Sequence, residues 1–412
     1  MEDWTIGASD SAMNSHNPIY TVFNKIIPPA QFHKPVLSLV AGDPSKCSDF
    51  QVHPAFVEAV CDHLRSGKGN CYSHQHGSKE AREFMAQKYS YDNIKLTFED
   101  IIFDFGGSGA IFTIVQSLLN PGDNILAPSP GYPLYESMCQ NRGCEVKHYK
   151  LKPQENWEID FNDLDALVDD RTKLLVVINP SNPCGSVFSR DHLLQILDWA
   201  KRHRICILAD EVYEYLTFEK PFIPMGSLTD EVPVFAIGTM SKLCLVPGWR
   251  CGWIKIYDKY KRCGELRRGI ENFKSLVAHA PHFMVNAIPQ ILTSMPEGYS
   301  AEVSQKLKQR ADIVYQKLSG IPELTVIPTE GSIYSMILID TNAFRDIPNS
   351  EVFAEKLAAE EGLMLLPAEC FSSESGFRIV ICNPIEVLED SMDRIKEFVK
   401  RHKIANDVED NN

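Results

Sequence analysis

Four short segments of this chain carry groups that belong to one kind of chemistry. Lys242 closes Thr239-Met240-Ser241-Lys242, and Arg250 stands eight residues further on in Val246-Pro247-Gly248-Trp249-Arg250-Cys251-Gly252-Trp253. Upstream lie Asn179-Pro180-Ser181-Asn182-Pro183-Cys184-Gly185 and Ala209-Asp210-Glu211-Val212-Tyr213. A lysine among hydroxyls, an arginine at fixed spacing, an aspartate after an apolar run and a tyrosine three residues beyond it form the set that holds pyridoxal phosphate (PLP) as a Schiff base. Each segment alone is a weak signal; the four in this order are specific.

Each group has a chemical task and a competing structural one. A partly desolvated Lys242 is nucleophilic near neutral pH and can shuttle a proton, whereas an ordinary lysine is a solvated surface charge. A carboxylate at Asp210, beside a pyridine nitrogen, raises that nitrogen's pKa and keeps the ring an electron sink. The competing role for such an aspartate is a helix cap. Tyr213 shares a face with Asp210 if the segment is a helical turn, and its phenol can donate to the ring oxygen. The Asn182 amide can do the same; its other reading is a simple Asn-Pro turn. Gly106-Gly107-Ser108-Gly109-Ala110 opens a helix expected from Ile111 to Leu119, and free N–H groups at a helix start bind anions. With Thr239 and Arg250 it forms a phosphate cup, although Arg250 alone reads equally as half of a salt bridge. Arg378, in Phe377-Arg378-Ile379-Val380, needs a carboxylate: that of an amino acid substrate, or an internal Glu369 or Glu374. His74-Gln75-His76 has no acidic or thiol ligand nearby and reads as a loop, so no metal is expected.

These groups need elements that end at one place. Short apolar runs at Ile101 to Phe105, Asn124 to Ala127, Leu174 to Ile178, Ile205 to Ala209 and Val234 to Ile237 alternate with amphipathic segments. The clearest helix runs from Asp191 to His203, and others are expected from Pro54 to Leu64 and from Ser78 to Tyr89. Continuous apolar runs between helices predict an α/β fold with a mostly parallel sheet, and ligands of such sheets sit at the carboxyl ends of the strands. Asn179, Asp210 and Lys242 all follow such runs. After about Asn286 the texture changes to a smaller α+β unit. Helices are expected there at Tyr299 to Leu318 and Glu351 to Glu361, with strands near Leu324 to Ile327, Ile333 to Ile339 and Phe377 to Cys382. The stretch before Pro35 reads as an arm with little regular structure, followed by a strand at Val36 to Val40. The tail from Asp407 to Asn412 is polar and expected to be disordered.

Bulk properties narrow the class. The 412 residues suit two to three domains, and 44% apolar with 23% charged residues is a soluble globular composition. A net charge of -14 without a basic stripe argues against a nucleic-acid partner. Twelve scattered cysteines form no disulfide framework, and Cys139 and Cys144 have no partner pair for zinc. The acidic start is not a signal peptide, and no apolar run reaches the roughly 18 residues of a membrane span. A cytoplasmic enzyme with no membrane association is the expectation.

The segments together resemble the fold-type I PLP aminotransferases of the aspartate aminotransferase superfamily, and are most similar to the tyrosine aminotransferase branch. The resemblance rests on Asn17-Pro18-Ile19, Ala41-Gly42-Asp43-Pro44, Pro130-Gly131-Tyr132-Pro133-Leu134-Tyr135-Glu136, Asn179 to Ser186, Asp210 to Tyr213, Ser241-Lys242 with Val246 to Trp253, and Phe377 to Val380. It extends from about Asn17 to His402. It implies a large PLP domain at 48–286, an arm with part of a small domain at 1–47, the rest of the small domain at 287–412, and a homodimer with shared active sites. It also implies roles. Lys242 carries the cofactor and the proton, Asp210 meets the pyridinium, and Asn182 and Tyr213 meet the ring oxygen. Tyr132 stacks on the ring, and Gly107, Ser108, Thr239 and Arg250 hold the phosphate. Tyr72 reaches the neighbouring subunit's phosphate, Arg378 binds the α-carboxylate, and Gly42 lies beside the substrate. Three positions depart from the pattern: Tyr20 replaces an arginine, His74 a proline, and Cys251 an aliphatic residue. The expected reaction is transfer of an amino group from an aromatic L-amino acid, tyrosine or phenylalanine, to a 2-oxo acid such as 2-oxoglutarate. The alternatives are alanine or methionine preference, or a PLP-dependent carbon–sulfur lyase. A PLP-sensing regulator does not suit an acidic chain with 35 residues before its first strand.

Overall fold

A computed structural model describes residues 5–29, 32–276 and 280–404. The apolar runs form the strands of an eight-stranded sheet, in the order Ile101–Asp104, Gly252–Tyr257, Val234–Thr239, Cys206–Asp210, Thr172–Ile178, Asn124–Ser129, Glu145–Lys152, Glu158–Ile159. Every pairing from Val234–Thr239 through to Glu145–Lys152 is parallel. Gly252–Tyr257 runs against both of its neighbours, and Glu158–Ile159 runs against Glu145–Lys152. Along Thr172–Ile178, Leu175 and Val177 enter one apolar cluster while Leu174, Val176 and Ile178 enter the other. Burial on both faces is why these strands read as unbroken apolar runs. Helix Gly106–Leu118 covers one face through Ile111, Ile114 and Val115. Helix Arg190–His203 covers the other through Leu193, Ile196 and Leu197, with Ser189 accepting from the His192 N–H at its start.

A second sheet, antiparallel, has the order Leu324–Val326, Tyr334–Ile339, Phe377–Val380, Leu366–Pro367. Helices Tyr299–Leu318, Ser350–Glu361 and Ile385–His402 pack with it around a third apolar cluster. Val22, Ile26 and Leu39 join that cluster, and Leu37–Ser38 pairs in parallel with Leu363–Met364. The amino-terminal segment is thus built into the carboxyl-terminal unit.

Several expectations need correction. The arm is not irregular: it holds helices Asp10–Asn14 and Pro18–Phe23. Asn17 accepts from the Ile19 N–H at 3.0 Å and Pro18 takes the first helical position, both strong start signals. The strand expected at Val36 to Val40 shortens to Leu37–Ser38. Helix Ile385–His402 was not expected, yet Leu388, Met392, Ile395 and Val399 are all buried at helical spacing. Each such side chain contributes about 1.5–3 kcal/mol on burial. Helices Gly264–Leu276 and His282–Thr293 were also unread. The polar tail 407–412 lies outside the described residues.

Candidate active site

The candidate residues converge on a cavity of about 660 Å³ at the carboxyl ends of the parallel strands. Asp210 ends its strand between Ile178 and Ile237 of the two flanking strands. Thr239 ends the next strand, and its side chain accepts from the Ser241 N–H, starting the short helix Met240–Leu243 that presents Lys242. Thr239 Oγ1 also donates to the Cys251 carbonyl at 3.0 Å, which ties this turn to the reversed strand beside it. Lys242 Nζ donates to the Gly42 carbonyl at 2.6 Å and lies 5.8 Å from the centroid of the Tyr213 ring. Gly42 is required there, since a Cβ would collide with the Tyr334 hydroxyl.

Asp210 is 4% exposed. Its Oδ2 accepts from the Tyr135 hydroxyl at 2.8 Å, and its Oδ1 is buried without a hydrogen-bond partner. Burial pushes the carboxyl up to about 6, against the opposing pull of the Tyr135 hydrogen bond. A turn and no helix follows Asp210, so the aspartate does not serve as a helix cap. Tyr213 donates to the Tyr334 hydroxyl at 3.2 Å, and burial, with Tyr334 beside it, holds its phenol well above the usual value. It stays protonated and remains a donor.

At the other end, helix Gly106–Leu118 begins without a side-chain cap, leaving its first N–H groups open. Gly106 has φ +70° and passes so close to the Arg250 guanidinium that a Cβ would crowd it. Arg250 donates to the Phe105 carbonyl at 3.1 Å and to Ser108 Oγ at 3.0 Å, and pairs with no carboxylate among the described residues. Its salt-bridge alternative is therefore not realised.

Arg378 is buried, donates to the Val40 carbonyl at 2.7 Å and to Asn182 Oδ1 at 3.2 Å, and stacks 4.3 Å from the Tyr334 ring centroid. Its Nε has no partner. The alternative pairing fails: Glu369 Oε1 instead accepts from the Ser350 N–H, and Arg378 meets no carboxylate among the described residues. A buried guanidinium without a counter-ion is costly, so it fits an anion brought from outside.

Tyr132, Gly107, Ser108 and Asn182 also line the cavity. Tyr72 does not; it is 98% exposed on the surface. Among the described residues, no group of three or more His, Cys, Asp or Glu is placed to hold a metal, and no helix is long and apolar enough to cross a membrane. Sequence reasoning gave no role to Tyr135, Tyr334, or the pins behind the Asp210–Tyr213 segment. There Glu211 meets Lys255 at 3.0 Å and the Met225 N–H at 2.8 Å, while Glu214 accepts from the Tyr89 hydroxyl at 2.7 Å. The acid, aromatic and lysine types at these positions were visible; their partners come from distant parts of the chain. A further cavity of about 680 Å³ lies behind this segment and contains none of the candidate residues.

A lysine, a buried aspartate and an anion cradle at the carboxyl edge of such a sheet define a transferase of fold type I. A profile of the family described as aminotransferase class I and II matches residues 34–395, and the chain belongs to that family. A tyrosine aminotransferase of Mus musculus is 37% identical over 401 residues, covering 97% of this chain and 88% of the relative. Nicotianamine aminotransferase 1 of Oryza sativa subsp. japonica is 37% identical over 378 residues, covering 90% and 76%. The solved tyrosine aminotransferase of Leishmania infantum superposes with a TM-score of 0.94 at 30% identity, covering 97% of this chain and all of that one.

Proposed function

We propose that this chain is a PLP-dependent transaminase that moves the amino group of an aromatic L-amino acid, tyrosine or phenylalanine, to a 2-oxo acid such as 2-oxoglutarate. The observation that carries the reading is the joining of three unmet groups in one cavity. These are the orphaned Asp210 Oδ1, the unpaired Arg250 at an uncapped helix start, and the buried Arg378 without a carboxylate. The first two fit PLP: Asp210 would hold its pyridine nitrogen, and Arg250, Ser108, Gly107 and Thr239 its phosphate. Lys242 would hold it covalently, Tyr132 would cover the ring, and Tyr213 and Asn182 would meet the ring oxygen.

When bound, PLP supplies a sink for the electrons released at the substrate's Cα. The chain does the rest. Arg378 grips the α-carboxylate through two N–H groups and so fixes which Cα bond faces the reacting plane. Lys242 Nζ would take the proton from the substrate's Cα and carry it away from that carbon, which is left to become the carbonyl carbon of the oxo acid. Tyr213, kept protonated, donates its hydroxyl hydrogen throughout. Asp210 holds a negative charge where water is excluded, which strengthens its hold on a cation.

The aromatic preference is supported by Ile19, Tyr20 and Phe23 at the cavity mouth and by the tyrosine aminotransferases among the relatives. The proposal includes a homodimer in which the exposed Tyr72 serves the other subunit's phosphate. It also keeps the division 1–47, 48–286 and 287–412, with helix His282–Thr293 straddling the second boundary. A substrate panel tests the reaction: oxo acid formation from tyrosine and phenylalanine should depend on an oxo acid acceptor. Ammonia and pyruvate released from a sulfur amino acid without any acceptor would make the enzyme a lyase instead.

A further inference from the structure

The cavity holds more positive charge than the groups named so far use. Its charged lining is Lys46, Lys242, Arg250 and Arg378 against the single carboxylate of Asp210. Lys242 is held by the Gly42 carbonyl, Arg250 stands at the uncapped helix start, and Arg378 is buried for one carboxylate. Lys46 has no such task. Among the described residues its ammonium makes no ion pair and no hydrogen bond.

The backbone that carries Lys46 is nevertheless held in place, while its side chain is exposed. It ends the 3-10 turn Pro44–Lys46, which Asp43 caps by accepting from the Ser45 N–H at 3.1 Å and the Ser45 hydroxyl at 2.6 Å. Gln51 Nε2 donates to the Cys47 carbonyl at 3.0 Å and braces the turn. The two nearest acids in sequence are committed elsewhere, Asp43 within the turn and Asp49 to Arg310, and neither pairs with the lysine. The same turn follows Gly42, whose carbonyl already holds Lys242. Its side chain has water as its partner, but its backbone anchors it on the rim of a cavity that already contains the buried Arg378.

We propose that Lys46 is a specificity residue: it receives the distal carboxylate of a short dicarboxylic acid whose α-carboxylate sits on Arg378. The proposal rests on the transaminase reading and deepens it. Helix Pro18–Phe23 gives the mouth of the cavity Ile19, Tyr20 and Phe23, surface suited to an aromatic ring. A lysine ammonium on a flexible stem can turn back into water when a ring occupies that space, and turn inward when a carboxylate does. One mouth then accepts an aromatic donor and a dicarboxylic acceptor in turn, as amino transfer between those two classes requires.

The test uses the full chain loaded with PLP, as wild type, Lys46→Met and Lys46→Arg, with melting curves to confirm folding. Calorimetry measures glutarate, a dicarboxylate that cannot react, against butyrate, a monocarboxylate of similar size. Lys46→Met should weaken glutarate relative to butyrate by about tenfold, the lower end for one charge-assisted hydrogen bond. Lys46→Arg should restore most of the loss. In turnover, the ratio of kcat/KM for 2-oxoglutarate over pyruvate should fall by the same factor in Lys46→Met and recover in Lys46→Arg. Equal weakening of both ligands, or none, would overturn the assignment. Failure of the transaminase reading looks different: the wild type would form no oxo acid from aromatic donors, while glutarate binding would still depend on Lys46.

Discussion

Replacing Asp210 by asparagine should make the cofactor-free protein more stable while nearly abolishing its activity. Asp210 is 4% exposed, and its carboxyl is pushed up from 3.8 to about 6, chiefly by burial. At 1.36 kcal/mol per pKa unit, ionising it in the cofactor-free fold costs about 3 kcal/mol. The folded value lies above the unfolded one. The penalty is therefore absent below about pH 4, grows as pH rises, and is complete once pH passes well above 6. Asparagine keeps an oxygen to accept from the Tyr135 hydroxyl but carries no charge at any pH. Urea denaturation of the two apoproteins at pH 8 should show Asp210→Asn more stable by up to about 3 kcal/mol, a gap that shrinks to about a third at pH 4.5. With PLP added the order should reverse, because only the wild type offers a carboxylate to the pyridine nitrogen. Turnover should fall by about 10²–10³, the scale of removing one preorganised electrostatic partner. An asparagine apoprotein less stable at pH 8, or a gap independent of pH, would refute the reasoning.

Other substitutions separate the remaining roles. Arg378→Lys should lower kcat/KM for every amino acid substrate, since an ammonium cannot copy the guanidinium fork; a loss confined to aromatic donors in a steady-state panel would contradict this. Tyr135→Phe removes the hydroxyl that lowers the Asp210 pKa and should weaken PLP retention by about 1.5–3 kcal/mol, read by dialysis and absorbance; unchanged retention would leave the hydroxyl without a role. Tyr72→Phe should weaken PLP retention modestly in a dimer, and sedimentation of a fully active monomer would rule out the shared site.

The parts of the fold that were legible in the sequence are those with two buried faces. Thr172–Ile178 and Cys206–Asp210 read as unbroken apolar runs, so the polar residues that follow them stood out as strand-end groups. Strand direction leaves no such trace, and the reversal of Gly252–Tyr257 could not be read from its apolar pattern. Ile385–His402 had readable spacing, but its many charges masked the buried stripe. At the site, Lys242, Asp210 and Arg378 declared themselves by sitting where a charge is expensive. Tyr135 and Tyr334 did not, because a tyrosine in an apolar segment is ordinary until its hydroxyl meets Asp210 or Tyr213 across the fold. Lys46 looked like any lysine in a turn. Only the count of charges around one cavity sets it apart.

The central claim is that the chemistry is assembled around Lys242. Borohydride reduction of the PLP-loaded protein, followed by digestion and mass mapping, tests it most directly. The expected result is a single cofactor mass increment on the peptide containing Lys242, absent in Lys242→Ala together with nearly all turnover. The increment on any other lysine, or an active Lys242→Ala enzyme, would contradict the claim.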